Sequence, residues 1–280
     1  MEKSTNKGTH GIVIPCYNES SRLDLSTYIE FARHNKGTVL CLVNDGSADD
    51  TRATLAEIKN LAHDNVYICH VAKNAGKANA VRQGSLLLHR ETGVDTIGFL
   101  DADLSTSFAE YQELVDAYHE NTEKLIIFGS RNLKGEGIHI ERNPIRKLLS
   151  EFIRLLIYFI IRIRIADTQC GAKVFARELI PGIYQQAFHS RWLFDIEIIL
   201  RLRLKMGKPR LLHIFKEKAL NEWVHMEGSK LGLKDAVMIP LNLLKIWKAY
   251  NYHTSLKKIK QAVLQFSLRR YKKLLLPKSA

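Results

Sequence analysis

Phe99-Leu100-Asp101-Ala102-Asp103 is an apolar run that ends in two aspartates one residue apart. Read as a strand running into its loop, it places two carboxylates where a sheet ends. Two such groups can share one hard divalent cation that keeps positions open for water or phosphate oxygens. A D-x-D at this place suits a metal-bound diphosphate, although short acidic pairs are also common as solvated loop charges. The rest of the first half repeats the same form, and that repetition decides the fold.

Short β-branched and apolar runs occur at Gly11–Ile14, Thr38–Val43, Val66–Val71, Thr96–Leu100 and Leu125–Phe128. Between them the spacing predicts helices around Leu23–Ala32, Thr51–Leu61, Ala78–Leu88 and Tyr111–Tyr118. Strands alternating with helices imply βαβ units, hence an α/β fold with a mainly parallel sheet covered by helices on both faces. Ligands of such sheets bind beyond the carboxyl ends of the strands. The polar clusters fall there: Pro15 to Glu19 after the first strand, Asn44 to Ser47 after the second, Asp101 to Asp103 after the fourth, Gly129 to Arg131 after the fifth.

The chain has 280 residues, 46% hydrophobic and 25% charged, enough for one large or two small domains. Its formal net charge of +13 points to an anionic partner: nucleic acid, a membrane surface or a phosphorylated substrate. No nucleic-acid module is present, and the positive charge sits largely on greasy helical segments, so nucleic acid is set aside. Cys16, Cys41, Cys69 and Cys170 are far apart and read as buried, reduced thiols. The polar start, Met1 to His10, carries no secretory signal. No uninterrupted apolar run approaches the roughly 18 residues of a spanning helix.

Residues 145–165 are dense in Leu, Ile and Phe, yet carry Arg146, Lys147, Arg154, Arg162 and Arg164. On a helix this is a basic stripe on an apolar body, suited to a membrane interface; snorkelling arginines on a core helix, or a subunit contact, compete with it. The tail repeats the theme: Leu241, Leu244, Ile246 and Trp247 accompany Lys245 and Lys248, and a lysine- and arginine-rich run follows. Such a helix attracts anionic lipid.

In Asn44-Asp45-Gly46-Ser47, Asp45 can accept hydrogen bonds from a nucleobase imide or a ribose, Gly46 allows a tight turn, and Ser47 or Asp49 can cap the next helix. Asn74-Ala75-Gly76-Lys77 puts a lysine at a helix start, a place for an anion, without being a Walker loop. Asp195 and Glu197 begin another helical stretch, where they can do acid–base work or pair with Arg191 and Arg201.

Taken together, Ile14-Pro15-Cys16-Tyr17-Asn18-Glu19, Val43-Asn44-Asp45-Gly46-Ser47, Asn74-Ala75-Gly76-Lys77 and Asp101-Ala102-Asp103-Leu104 resemble the ordered motifs of inverting family 2 glycosyltransferases of the Rossmann-like GT-A fold. Further on, Asp167-Thr168-Gln169-Cys170-Gly171-Ala172-Lys173-Val174-Phe175, Arg191-Trp192-Leu193-Phe194-Asp195-Ile196-Glu197 and Glu227-Gly228-Ser229-Lys230-Leu231 resemble the dolichyl-phosphate β-glucosyltransferase group, more than the mannosyltransferases. The likeness spans roughly residues 10–235. It implies a catalytic domain over 1–235, with a nucleotide-sugar half at about 8–131 and an acceptor half at about 132–235. The likeness leaves 236–280 unassigned, and the residue pattern there reads as a basic amphipathic helical tail, expected to associate with a membrane.

By this resemblance Pro15, Tyr17, Glu19, Asp45, Lys77 and Asp101-Ala102-Asp103 line the nucleotide-sugar pocket, and Asp101 and Asp103 hold Mg²⁺ or Mn²⁺. Where the mannosyltransferases place a further metal-binding glutamine, this chain has Ser105. Arg131, Arg146, Ser150 and Lys230 match positions that take the acceptor phosphate. The implied reaction moves a sugar, glucose from UDP-glucose first and GDP-mannose or another UDP-sugar next, onto a polyprenyl or dolichyl phosphate. A phosphate acceptor is already largely anionic at neutral pH and needs no strong base. With a sugar hydroxyl as acceptor, Asp195 or Asp167 would serve as base. A silent nucleotide-sugar-binding scaffold is the non-enzymatic alternative. Eukaryotic relatives usually carry a membrane span before the first strand and many bacterial ones carry spans after the domain. Neither is seen here, so a peripheral protein on the cytoplasmic face of a membrane is expected.

Overall fold

The computed structural model describes residues 8–62, 65–131, 144–224 and 238–251, and among them the side chains outside 144–152. The first half forms as its pattern predicts. Strands β1 (His10–Cys16), β2 (Thr38–Asp45), β3 (Val66–Val71), β4 (Thr96–Phe99) and β5 (Ile126–Ser130) alternate with helices α1 (Leu25–His34), α2 (Thr51–Ala62), α3 (Lys77–Glu91) and α4 (Phe108–His119). The second half supplies α5 (Pro144–Ile161), β6 (Lys173–Ala176), α6 (Ile180–Tyr184), α7 (Phe194–Met206), α8 (Lys208–Ile214) and β7 (Phe215–Ala219). A further helix, α9, occupies 238–251.

Among the described residues one seven-stranded sheet runs in the order β3-β2-β1-β4-β6-β5-β7. β6 is antiparallel to both β4 and β5, and the other pairings are parallel. Strand residues alternate between two cores, as a two-residue period requires. Val13, Cys41, Val43, Ile97, Phe99, Phe128 and Phe175 face one core, which also takes in α3, α5, α6, α7 and α9. Ile12, Ile14, Leu40, Leu42, Ile127 and Val174 face the other, with α1, α2 and α4. Near-continuous burial along β1, β2, β4 and β5 follows from covering both faces.

Two strands escape the sequence pattern. β6 is four residues long and opens with a lysine, and β7 reads Phe-Lys-Glu-Lys-Ala. β7 lies at the sheet's edge, where charge discourages pairing with another chain. β6 enters the middle of the sheet because Gly98 makes room for it. A Cβ on Gly98 would come 2.0 Å from the Lys173 carbonyl oxygen and 2.2 Å from the Tyr111 hydroxyl.

Three of the four cysteines are buried and Cys69 is half-buried; all are free thiols. Among the described residues no helix is long and apolar enough to cross a membrane.

Gly98→Ala should therefore part β4 from β6 or displace Tyr111, at a cost of about 3 kcal/mol. The midpoint of urea unfolding measures it. An unchanged midpoint would show that this contact does not constrain the sheet.

Candidate active site

The loops after β1, β2 and β3 are knitted into one edge. Asn18, with positive φ, donates its N–H to Ser47 Oγ (3.0 Å), and its Oδ1 accepts from the Ala48 N–H (2.9 Å). The Glu19 N–H donates to Thr51 Oγ1 (2.8 Å), and Ser20 donates both its N–H and its hydroxyl to Asp49. Ser47 thus ties two loops together instead of capping α2. Asp49 accepts from the Thr51 N–H, in the first turn of that helix. Pro15 and Tyr17 are half-buried on this edge, and Glu19 is buried with Arg22 3.6 Å away.

Asp45 turns inward. Its Oδ1 accepts from the Ala75 N–H (3.0 Å) and its Oδ2 from the Gly76 N–H (2.7 Å), so it organises the loop that leads to Lys77. Burial pushes its carboxyl above the usual range, against the pull of those N–H groups and of Arg191. Gly46 (φ +66°) has to be glycine, because a Cβ there would lie 2.5 Å from the Asn74 nitrogen. Arg191 locks the same loop from the far side: its guanidinium bonds the Asn74 side chain, and its carbonyl accepts from the Ala78 N–H (3.0 Å).

Lys77, the first residue of α3, places Nζ 2.5 Å from Asp101 Oδ1. Burial works against its charge, but the carboxylates of Asp101 and Asp195 outweigh burial and raise its pKa. Asp101 is backed by Gly171, where a Cβ would strike Asp101 Oδ2 at 2.2 Å. Asp103 accepts the Ser105 N–H (3.0 Å) and lies 3.8 Å from Arg22. The Ala102 carbonyl accepts from the Tyr28 hydroxyl (2.9 Å), and the Ser105 carbonyl accepts from the Val224 N–H (2.9 Å), so both ends of this turn are held.

The two aspartate side chains keep 30% and 29% of their surface exposed, Asp101 against Lys77 and Asp103 near Arg22. They fit a divalent cation that takes its remaining ligands from a diphosphate and water, since two hard oxygen donors leave most of its shell open. Among the described residues no group of three or more His, Cys, Asp or Glu gathers as an all-protein metal cage.

Two ion pairs stand beside this turn, one buried and one with its arginine half-buried. Arg131 grips Asp167 with both arms of its fork, Nε to Oδ2 at 2.6 Å and Nη2 to Oδ1 at 3.0 Å, and lies 5.3 Å from the Trp223 ring centre. Burial alone would raise the Asp167 carboxyl; the Arg131 guanidinium overrides that and holds it below the usual range. Lys173 Nζ sits 2.7 Å from Asp195 Oδ1. Burial pushes the Asp195 carboxyl up, and Lys173 and Lys77 pull against it. Glu197 is structural: it accepts the His189 and Ser190 N–H groups and the Tyr250 hydroxyl, with Arg201 at 4.0 Å. Arg191 therefore serves the Asn74 loop, and Asp195 pairs with Lys173 in its place.

Arg146 and Ser150 lie on α5, but their side chains fall outside the described residues, as does Lys230. Of the acceptor-phosphate set the described structure places only Arg131. Lys173, Arg22, Gly171 and Trp223 join the site without having been singled out from the sequence. Only Lys173 and Gly171 had a signal, by standing inside the 167–175 motif.

The glycosyl transferase family 2 model matches residues 11–182. The chain is 31% identical to a dolichyl-phosphate beta-glucosyltransferase of Saccharomyces cerevisiae, covering 85% of this chain and 74% of that protein. It is 30% identical to the human dolichyl-phosphate beta-glucosyltransferase, covering 79% and 68%. Among solved structures, Mycobacterium tuberculosis glucosyl-3-phosphoglycerate synthase, in complex with Mn²⁺, UDP and glucosyl-3-phosphoglycerate, superposes with a TM-score of 0.63. That match covers 87% of this chain and 80% of the other at 15% identity, a likeness of fold.

The knitted edge has a pH signature. Slight burial opposes the charge of Asp49, but hydrogen bonds from Ser20 and Thr51 hold its carboxyl down at about 2, against roughly 3.9 in an unfolded chain. A depressed folded pKa gives stability that is present above the unfolded value and lost as pH falls through the folded one. The stability advantage of the wild type over Asp49→Asn should therefore shrink as pH falls from about 4 to about 2. Denaturation of both proteins across that range checks it, and an advantage that stays constant would dismiss the Ser20–Asp49–Thr51 link as a source of stability.

Proposed function

The chain belongs to glycosyl transferase family 2, and on that footing we propose that it transfers glucose from UDP-glucose to a polyprenyl phosphate of the dolichyl kind at the cytoplasmic face of a membrane. The observation that carries this reading is a pair of neighbours at one sheet edge. Asp101 and Asp103, with Lys77 against Asp101, form a seat for a metal-bound diphosphate. Beside them Arg131 is held in a fixed orientation for a second anion. The names of the yeast and human relatives support the acceptor and the sugar.

Asp101 and Asp103 would hold the Mg²⁺ or Mn²⁺ that travels with the donor. When bound, that cation supplies Lewis-acid stabilisation of the departing nucleoside diphosphate. Lys77, at the start of α3, adds positive charge beside the same oxygens, strengthened by the helix N-terminus. Pro15, Tyr17 and Glu19 line the edge where the nucleoside lies, and Asp45 shapes that edge by fixing the loop at Ala75 and Gly76. Arg131 presents the part of its guanidinium that Asp167 does not occupy, and Arg146, Ser150 and Lys230 complete the acceptor set in this reading.

A phosphate attacks the anomeric carbon from the side opposite the leaving group and inverts it, without first losing a proton. The site agrees with that economy. Asp167 is bound to Arg131 with a lowered pKa, and Asp195 is enclosed against Lys173, so neither is placed as a base for a sugar hydroxyl. Asp167 and Asp195 act instead by orienting Arg131 and Lys77.

Two helices support a peripheral membrane site. α5 exposes Leu155, Tyr158 and Phe159 between the exposed Arg154 and Arg162, and α9 exposes Met238, Leu241, Leu244 and Trp247 beside Lys245 and Lys248. Apolar side chains rimmed by cations suit the headgroup layer of an anionic bilayer.

Labelled UDP-glucose and polyprenyl phosphate should give label in the organic phase with the purified protein, and label from GDP-mannose should stay in the aqueous phase. Asp103→Ala should lower that transfer about 1000-fold, the scale of several kcal/mol of lost stabilisation, while the melting temperature barely moves. Full metal-dependent transfer by this variant would refute the role. Arg131→Lys keeps the charge but loses the fork. It should raise the polyprenyl-phosphate KM about tenfold and leave the UDP-glucose KM nearly unchanged. Arg131→Ala is the poorer test, because stranding buried Asp167 costs about 3–5 kcal/mol.

A further inference from the structure

Lys173 is a lysine with no exposed surface, set in the middle of the sheet on β6. Enclosing an ammonium costs several kcal/mol before its partners repay it, and an apolar side chain would fill the space more cheaply. Its partners are specific. Nζ lies 2.7 Å from Asp195 Oδ1 and donates to the Cys170 carbonyl at 2.6 Å. The ring centres of Phe99 and Phe128 are 5.1 and 4.6 Å away.

The same Phe99 ring has Lys77 Nζ 5.6 Å from its centre. Lys77 touches Asp101, and Asp195 acts electrostatically on both lysines. Cations and anions therefore alternate from the core to the cleft: Lys173, Asp195, Lys77, Asp101. The outer end of this row changes when a donor arrives. Asp101 would then hold the divalent cation, and Lys77 would share its contact partner with that cation. Among the described residues the carboxylates acting on Lys77 include Asp101, Asp103 and Asp195; the first two would hold the cation, which leaves Asp195, paired with Lys173 at 2.7 Å.

We propose that Lys173 is a positioning residue for the donor: by fixing Asp195 it keeps Lys77 at the cleft when Asp101 takes up the cation, so that Lys77 meets the diphosphate. This rests on the nucleotide-sugar reading of the site. It assigns a task to a residue that touches neither donor nor acceptor, and it explains why the middle of the sheet carries a charge.

Calorimetry of UDP-glucose with Mn²⁺ on the full chain tests it, with Lys173→Met, Lys77→Met and the double variant. Lys173→Met should weaken UDP-glucose binding about tenfold and leave uridine, which has no phosphates, unaffected. In the Lys77→Met background the Lys173 substitution should cost nothing more, because residues acting through one another do not add. Losses that multiply, or an equal loss with uridine, would reduce Lys173 to a packing role. If Lys173→Met fails to fold with Asp195 stranded, the neutral pair Lys173→Met/Asp195→Asn takes its place in the same cycle. Wild-type affinity for UDP-glucose in that pair overturns the proposal. A wild-type protein that binds no UDP-sugar overturns the functional reading itself, whereas wild-type binding with additive losses removes only the part given to Lys173.

Discussion

Charge taken out of water has to be met within a few ångströms, and this constraint shapes the carboxyl edge of the sheet. Asp45 is met by two backbone N–H groups, Asp167 by a bidentate arginine, Asp195 by a buried lysine, and Glu197 by two N–H groups and a tyrosine hydroxyl. Each match joins segments far apart in sequence. Asp45 fixes the loop before α3, Asp167 aims the arginine after β5, and Glu197 gathers the turn before α7 onto α9. Asp101 and Asp103 differ, because they keep part of their surface in solvent and have positions left for a ligand. The edge is thus a frame of paired charges around two that stay partly in solvent.

The frame explains which parts of the molecule were legible in the sequence. β1 to β5 and α1 to α4 announce themselves because a sheet buried on both faces needs apolar runs, and its covering helices need a periodic stripe. The end of the fourth strand was correctly an acidic turn for the same reason. β6 was not legible: a four-residue strand that begins with lysine has the composition of a loop, and only its place between β4 and β5 makes it a strand. β7 was hidden by its alternating charges, which an edge strand can carry and a central one cannot.

The site was legible by residue and less so by role. Asp45 reads as a ligand for a base or a ribose; the structure adds a second task that its sequence setting does not show, since each of its oxygens also accepts one backbone N–H of the loop before α3. Ser47 reads as a helix cap and is a cross-link between loops. Arg191 reads as a partner for Asp195 and instead secures Asn74, because helix α7 turns Asp195 inward toward β6. Contacts of this kind depend on how separate elements face one another, and spacing along one chain does not carry that information. Gly171 shows the limit well, since the reason for a small residue there is visible only in the Asp101 carboxylate packed against it.

Helix α7 has one more property. Its first turn bears Asp195, and along its length Arg201 reaches Tyr250 on α9 while Arg203 reaches the last carbonyls of α5. The helices that show greasy, cationic faces to the outside are bolted to the same shaft as the innermost anion of the cleft. Under the proposed peripheral docking, tilt is consequently shared: whatever angle the molecule took on a film, its mouth would take too, and a long-tailed guest would meet the opening at one inclination.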